Sequence, residues 1–259
     1  MKKAASVLIT AFIAALAIPA MSQTLVVGTC KAAKHQYTTI QSAINAAPAY
    51  ATVLVCPGTY AEQVTITRPL TLKGISAPPL DAPTVVPPAG GMKASNIQPD
   101  DGVFLPLIAV DTYGDSGSVS IQNLILDLGA SCGVGHNRGG DGILYLSTNG
   151  TIGNIAIKNE GACEGDAIWM ENDSSAPMNM VVKDNIVQSF PKSYGIVAAA
   201  GPSGSNFSFQ IRDNVITAVA YPVISMTNGN QGTVSGNMIQ PSEVTCPRKT
   251  RPGKTGVLS

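Results

Sequence analysis

Apolar residues alternate with polar ones in five short stretches, and each reaches an Asn before a second apolar run begins. The stretches are 118–126, 151–157, 180–187, 209–216 and 232–239, with Asn at 123, 154, 185, 214 and 237. Those Asn positions step by 31, 31, 29 and 23 residues. Alternation with period two predicts strands, and imperfect self-similarity at this spacing predicts a solenoid whose units bury their apolar faces only by stacking. A second beat runs in phase. Ile143, Ile168, Ile196 and Val223 each lie in a strand that opens near a small residue, stepping by 25, 28 and 27. Each unit therefore carries one strand on its own and a strand pair bent at the Asn. The expected fold is all-β, a parallel β-helix, with the five Asn residues in one column where amide stacks on amide.

Ahead of the repeats, Ile40, Ala43, Ile44 and Ala47 fall at i, i+3, i+4 and i+7, with Thr38 or Thr39 before them and Pro48 after. This predicts a short one-faced helix capping the open end of the solenoid. The stretches 52–60 and 63–74 follow it and read as strands, with a Pro57-Gly58 turn between the first two. Residues 77–102 are rich in Pro and Gly and depart from the repeat, which predicts an inserted loop on one face.

Composition narrows the class. Charged residues make up only 12% of the 259, as expected where stacked rungs would bring like charges together. Sixteen basic residues balance sixteen acidic ones, so nothing favours a nucleic-acid partner. Lys2 and Lys3 precede an apolar run to Ile18, and Ala20 and Ser22 follow as small residues placed for cleavage. Residues 1–22 are thus expected to be a signal peptide, 23–245 the β-helix domain and 246–259 an irregular basic tail. No membrane span is expected, and the destination is the periplasm or the exterior. Five cysteines suit an oxidising compartment, with Cys30–Cys56 and Cys132–Cys163 as the expected disulfides and Cys246 left over. After Pro241 the repeat stops, so the expectation is that the tail folds over the open end, that another chain associates through the C-terminal end of the solenoid, or that the sequence is a shortened version of a longer parent.

The stretch from Tyr37 to Gly74, with Thr39-Ile40-Gln41 opening the helix and Pro57-Gly58-Thr59-Tyr60 leading to Glu62, resembles the start of pectin-lyase-like right-handed parallel β-helix proteins, pectin methylesterases in particular. The resemblance implies a right-handed β-helix over nearly all the mature chain. It does not supply an activity. The family's esterase motifs, Asp-Phe-x-Phe-Gly and Gly-Arg-x-Trp, are absent, and the only tryptophan is Trp169.

Three clusters remain as candidate chemistry. Asp141-Gly142 and Gly165-Asp166 loosely resemble the carboxylate segments of polygalacturonases, where two acids on neighbouring rungs protonate the glycosidic oxygen and activate water. His136 and Arg138 lie on the Gly-rich loop before Asp141, where a His beside a carboxylate can act as a base. Asp184 and Asp213 precede ladder Asn residues and follow Lys183 and Arg212. By similarity to calcium-dependent pectate lyases, these four could bind ligand, with Ca²⁺ between the two carboxylates. Otherwise no cofactor is expected. The leading functional expectation is an exported module contacting a polysaccharide or cell-surface glycan without catalysis. The alternative is a pectin- or uronan-active lyase, hydrolase or esterase.

Overall fold

Inward-pointing apolar residues at every second position wind this chain into a right-handed parallel β-helix with three sheets. The computed structural model describes residues 23–33, 36–78, 81–99, 102–129, 140–159, 165–190, 193–201, 206–220, 224–226, 230–241 and 256–257. Sheet A runs Gln36–Tyr37, Thr24–Val27, Ala51–Val55, Leu70–Gly74, Ser118–Gln122, Asn149–Gly153, Met178–Lys183, Phe207–Arg212 and Asn230–Ser235. Sheet B stacks Thr59–Ala61, Thr84–Val86, Ile125–Asp127, Ala156–Lys158, Ile186–Phe190, Val215–Val219 and Met238–Pro241. Sheet C stacks Val64–Ile66, Pro106–Asp111, Asp141–Leu146, Ile168–Asn172, Ile196–Ala200, Ile224–Met226 and Gly256–Val257. From Ala51 onward the chain visits A, B and C in turn. Successive strands within each sheet pair in parallel, except that Gly256–Val257 lies antiparallel to Ile224–Met226.

Each rung sends side chains such as Leu72, Ile121, Ile152, Val182 and Ile211 into one continuous core. Burial of each such side chain is worth about 1.5–3 kcal/mol, so rungs stabilise one another only by stacking. The helix Ile40–Ala46 closes the N-terminal end, burying Ile40, Ala43 and Ile44 against the first strands. Thr39 is its N-cap, accepting from Ser42 N at 3.2 Å. Glu62 completes the cap by taking Ile40 N at 2.7 Å and Gln41 N at 2.9 Å. The Pro-Gly-Thr-Tyr-x-Glu segment thus serves the helix start. The Cys30–Cys56 disulfide staples the same end.

Three expectations need correction. The five Asn residues do not form one column. Gln122 pairs with Gly153 and Gly153 with Lys183, so Asn123 and Asn154 register with Asp184 and Asp213, while Asn185, Asn214 and Asn237 register one place further on with Leu124 and Ile155. The first column is the bend itself: Asn123, Asn154, Asp184, Asp213 and Gly236 all have φ between 54° and 66°. The second column is the buried amide ladder. Likewise Ile196 registers with Ile224 rather than with Val223, which lies outside the described residues. Finally, the stretch 77–102 is more than an inserted loop. Thr84–Val86 is a strand of sheet B, and Met92 and Ile97 beyond it are buried.

Candidate functional site

Sheet C strands are apolar on both faces, as expected of parallel strands covered from two sides. Ile143 and Tyr145 point into the core, whereas Leu144 and Leu146 point outward. The outward set joins Ala109, Trp169, Val197 and Ala199 in a second cluster, and Ile97 and Phe104 of the connecting segment lie over it. The Phe104 and Trp169 rings meet with centroids 4.9 Å apart, tilted by 58°. Gln63 holds this cover down, donating to the carbonyls of Lys93 and Pro106 and accepting from Lys93 N.

Two carboxylates border this covered face, and neither was singled out from the sequence. Leu146 registers with Asp111 on one side and Glu171 on the other, placing both acids in one outward column. Glu171 is 1% exposed and accepts from Trp169 Nε1 at 2.7 Å. Asp111 is 8% exposed, and burial pushes its carboxyl above the ordinary value, partly opposed by the Tyr113 amide it accepts at 2.7 Å. An acid directly after an apolar run, as in Ile168-Trp169-Met170-Glu171, was the available signal.

The structure brings Asp141 and Asp166 together. Asp141 Oδ1 accepts from Asp166 N at 2.9 Å and Oδ2 from Leu105 N at 2.8 Å, and Asp166 Oδ1 accepts from Tyr194 N at 3.0 Å. They are 1% and 5% exposed. Each carboxylate thus accepts from main-chain amides of neighbouring rungs, tying the rungs together where the sheet C strands begin. His136, Arg138, Cys132, Cys163 and Cys246 lie outside the described residues, as do the leader 1–22 and most of the basic tail.

Lys183 and Arg212 are register neighbours, and so are the bend residues Asp184 and Asp213. Lys183 Nζ reaches Asp184 Oδ2 at 3.7 Å, and Arg212 Nη1 reaches Asp213 Oδ2 at 3.0 Å, all four side chains being substantially exposed. Each charge is matched within its own rung, an arrangement worth little individually at a wet surface. Among the described residues no three His, Cys, Asp or Glu side chains gather as a metal site.

Sheet A presents a different surface. One outward column reads Ser118, Asn149, Asn179, Ser208, Gln231, and the next reads Thr52, Thr71, Ser120, Thr151, Val181, Gln210, Thr233. Neither column holds an ionisable side chain. Asn149 Oδ1 accepts from Asn179 N at 2.7 Å, tying adjacent rungs. Over the last rungs the face dips into a shallow groove of about 370 Å³ bordered by Asn179, Val181, Ser208, Gln210, Gln231 and Thr233. The polar alternation that builds this face was plain in the sequence. Its function was not.

Fold and surface together define a right-handed parallel β-helix protein with one covered face and one open polar face. No family model and no curated protein matches the chain. Among solved structures it is similar to pectin methylesterase PemA from Erwinia chrysanthemi, at 13% identity over 82% of this chain and 81% of that one, with a TM-score of 0.40. It is also similar to the deglycosylated pectin methylesterase from Aspergillus niger, at 16% over 93% of both chains and a TM-score of 0.38. A pectin methylesterase from Yersinia enterocolitica follows at 10%, covering 83% of this chain and 93% of that one, with a TM-score of 0.32. Likeness at this level carries no statement about activity. No helix of the described residues is long and apolar enough to cross a membrane.

Proposed function

We propose that this protein is exported and acts as a non-catalytic module that lays the open face of sheet A against a glycan of a cell surface or matrix. The observation carrying this reading is the pair of uncharged outward columns, which repeat hydroxyl and amide groups at about 4.8 Å per rung. Such a surface matches a ligand that repeats hydroxyls along its length. Each hydrogen bond contributes only about 0.5–1.5 kcal/mol net, so binding needs several rungs at once. The apolar leader and the Cys30–Cys56 disulfide support export.

The carboxylates support a non-catalytic role as well. Asp141 and Asp166 are engaged by main-chain amides, Glu171 by an indole, and Asp184 and Asp213 by cations. The test is retention of the mature protein on immobilised polysaccharides, with Asn179→Asp/Gln210→Glu expected to weaken retention by adding carboxylates to the groove. In parallel, pectin and polygalacturonate are incubated with the protein, with and without Ca²⁺. Methanol, new reducing ends or unsaturated products that disappear in Asp141→Ala would establish the uronan-enzyme reading instead.

A further inference from the structure

Two tyrosines occupy backbone positions that ordinarily select Gly or Asn. In Pro48-Ala49-Tyr50-Ala51 the turn closes through Ala51 N to Pro48 O at 3.2 Å, and Tyr50, its third residue, has φ 63°. In Thr112-Tyr113-Gly114-Asp115 the closing bond runs from Asp115 N to Thr112 O at 3.1 Å. Both central residues there have positive φ, 54° at Tyr113 and 80° at Gly114, the signature of a type I′ turn that favours Asn-Gly. A bulky residue in the left-handed region is strained, and such strain collects at functional positions.

Burial does not account for the choice of Tyr. Tyr50 is 62% exposed and Tyr113 73%, the two highest values among the exposed large apolar side chains of the described residues. Main-chain bonds hold both in place. Tyr50 N donates to Pro69 O at 2.6 Å and Tyr113 N to Asp111 Oδ1 at 2.7 Å. Both turns lie where the chain enters sheet A, ahead of Ala51–Val55 and of Ser118–Gln122, with only Leu70–Gly74 between those strands. Their separation along the helix axis is therefore two rungs, about 10 Å. Gly117, two residues past the second turn, sits against Pro69 and the Tyr50 ring, so the Tyr50 side chain forms a ridge reaching toward the chain that follows Tyr113.

We propose that Tyr50 and Tyr113 are paired stacking subsites for a neutral, extended pyranose polymer lying along the helix axis at this corner of sheet A. The inference rests on the glycan-contact reading and names its ligand class. Tyrosine offers a flat apolar face to the C–H side of a sugar ring while its hydroxyl stays wet. Ser118 and Ser120, on the strand that Tyr113 leads into, place hydroxyls beside the ridge. Charge selects a neutral polymer. Asp111 and Asp115 flank Tyr113, while the exposed Arg68 precedes Pro69, whose carbonyl holds Tyr50, so neither sign of charge prevails at this corner. A polyuronate would gain no net charge attraction here.

Native affinity electrophoresis tests this with hydroxyethyl cellulose, xyloglucan and galactan as neutral probes and polygalacturonate as the acidic one. The wild type is expected to be retarded by at least one neutral probe and not by polygalacturonate. Tyr50→Gly and Tyr113→Gly should each weaken retardation about tenfold while the melting temperature holds or rises, since Gly relieves the positive φ. Tyr113→Phe should retain binding, which separates loss of stacking from loss of fold. Wild-type retardation that survives both Gly variants overturns the tyrosine subsites and leaves sheet A as the contact face. Retardation by polygalacturonate alone overturns the ligand class. No retardation by any probe overturns both the subsites and the glycan-contact reading.

Discussion

Asn185 and Asn214 sit one rung apart, and a single oxygen joins them twice: Asn214 Oδ1 accepts from the Asn185 side-chain amide at 2.9 Å and from its backbone N–H at 3.0 Å. Asn214 in turn donates to Val182 O at 3.1 Å, and Asn237 repeats the pattern below it. The ladder thus satisfies buried main-chain groups exactly where the strands break to bend.

Removing one member should be expensive. Asn214→Ala strips partners from Asn185 and from Val182 O inside the core, at about 1–3 kcal/mol per unsatisfied group. A loss of about 2–4 kcal/mol in urea unfolding is expected. Asn154→Gly, at the exposed left-handed bend, should cost less than about 0.5 kcal/mol because Gly accepts that φ freely. Equal losses in the two variants would contradict the register shift between these columns.

That shift shows where sequence reading reaches its limit. Strands and rungs were legible because inward residues such as Ile121, Ile152 and Val182 keep period two. The capping helix was legible from Ile40, Ala43 and Ile44, and the Cys30–Cys56 link from oxidising-compartment cysteines at a short separation. Asn154 and Asn185 look alike as letters, since Asn suits both a left-handed bend and a buried amide ladder. Only pairing tells them apart: Asp184 takes the bend before Asn185, whereas Asn154 takes it itself. The cover over sheet C was hidden for another reason. Phe104 and Trp169 meet across 65 residues of chain (169 − 104), and no local pattern announces that contact. The left-handed φ of Tyr50 and Tyr113 was equally unreadable, because tyrosine is not a residue that signals it.

Tyr145 gives a second test of packing. Its hydroxyl donates to Val119 O at 2.9 Å within the core, and burial pushes its pKa far upward. Its ring lies over Gly150, where an added Cβ would meet the Val119 carbonyl oxygen first and the ring Cε1 at 2.6 Å. Tyr145→Phe should cost about 1–2 kcal/mol through the unsatisfied carbonyl, and Gly150→Ala about 1–3 kcal/mol through overpacking. Calorimetric melting of the two variants checks both values. A neutral Gly150→Ala would mean that both the Val119 main chain and the Tyr145 ring have room to move.

The disulfide should matter chiefly at the N-terminal end. Cys30 and Cys56 close a loop of 26 residues, which corresponds to about 3 kcal/mol in the loop-entropy description. Cys30→Ala/Cys56→Ala is expected to lose roughly that much, with amide exchange rising first around Thr24–Val27 and Ala51–Val55. Protection lost evenly along all the rungs would instead show that the solenoid unfolds as one unit.

Asp111 carries the pH dependence that follows from its burial. Its folded-state pKa is raised, so the folded protein resists ionising it more than the unfolded chain does. Below the unfolded carboxylate value near 3.9 both states hold the proton, and the group imposes no penalty. As pH climbs through the raised folded value, the buried carboxylate must ionise and stability falls, reaching its full deficit above that value. Asp111→Asn keeps an oxygen for the Tyr113 amide while removing the charge. The variant should therefore be more stable than the wild type at about pH 7, and the gap should close by about pH 3, in urea titrations at several pH values. A gap that widens on acidification would mean that the ionised Asp111, and not its neutral form, is what the fold prefers.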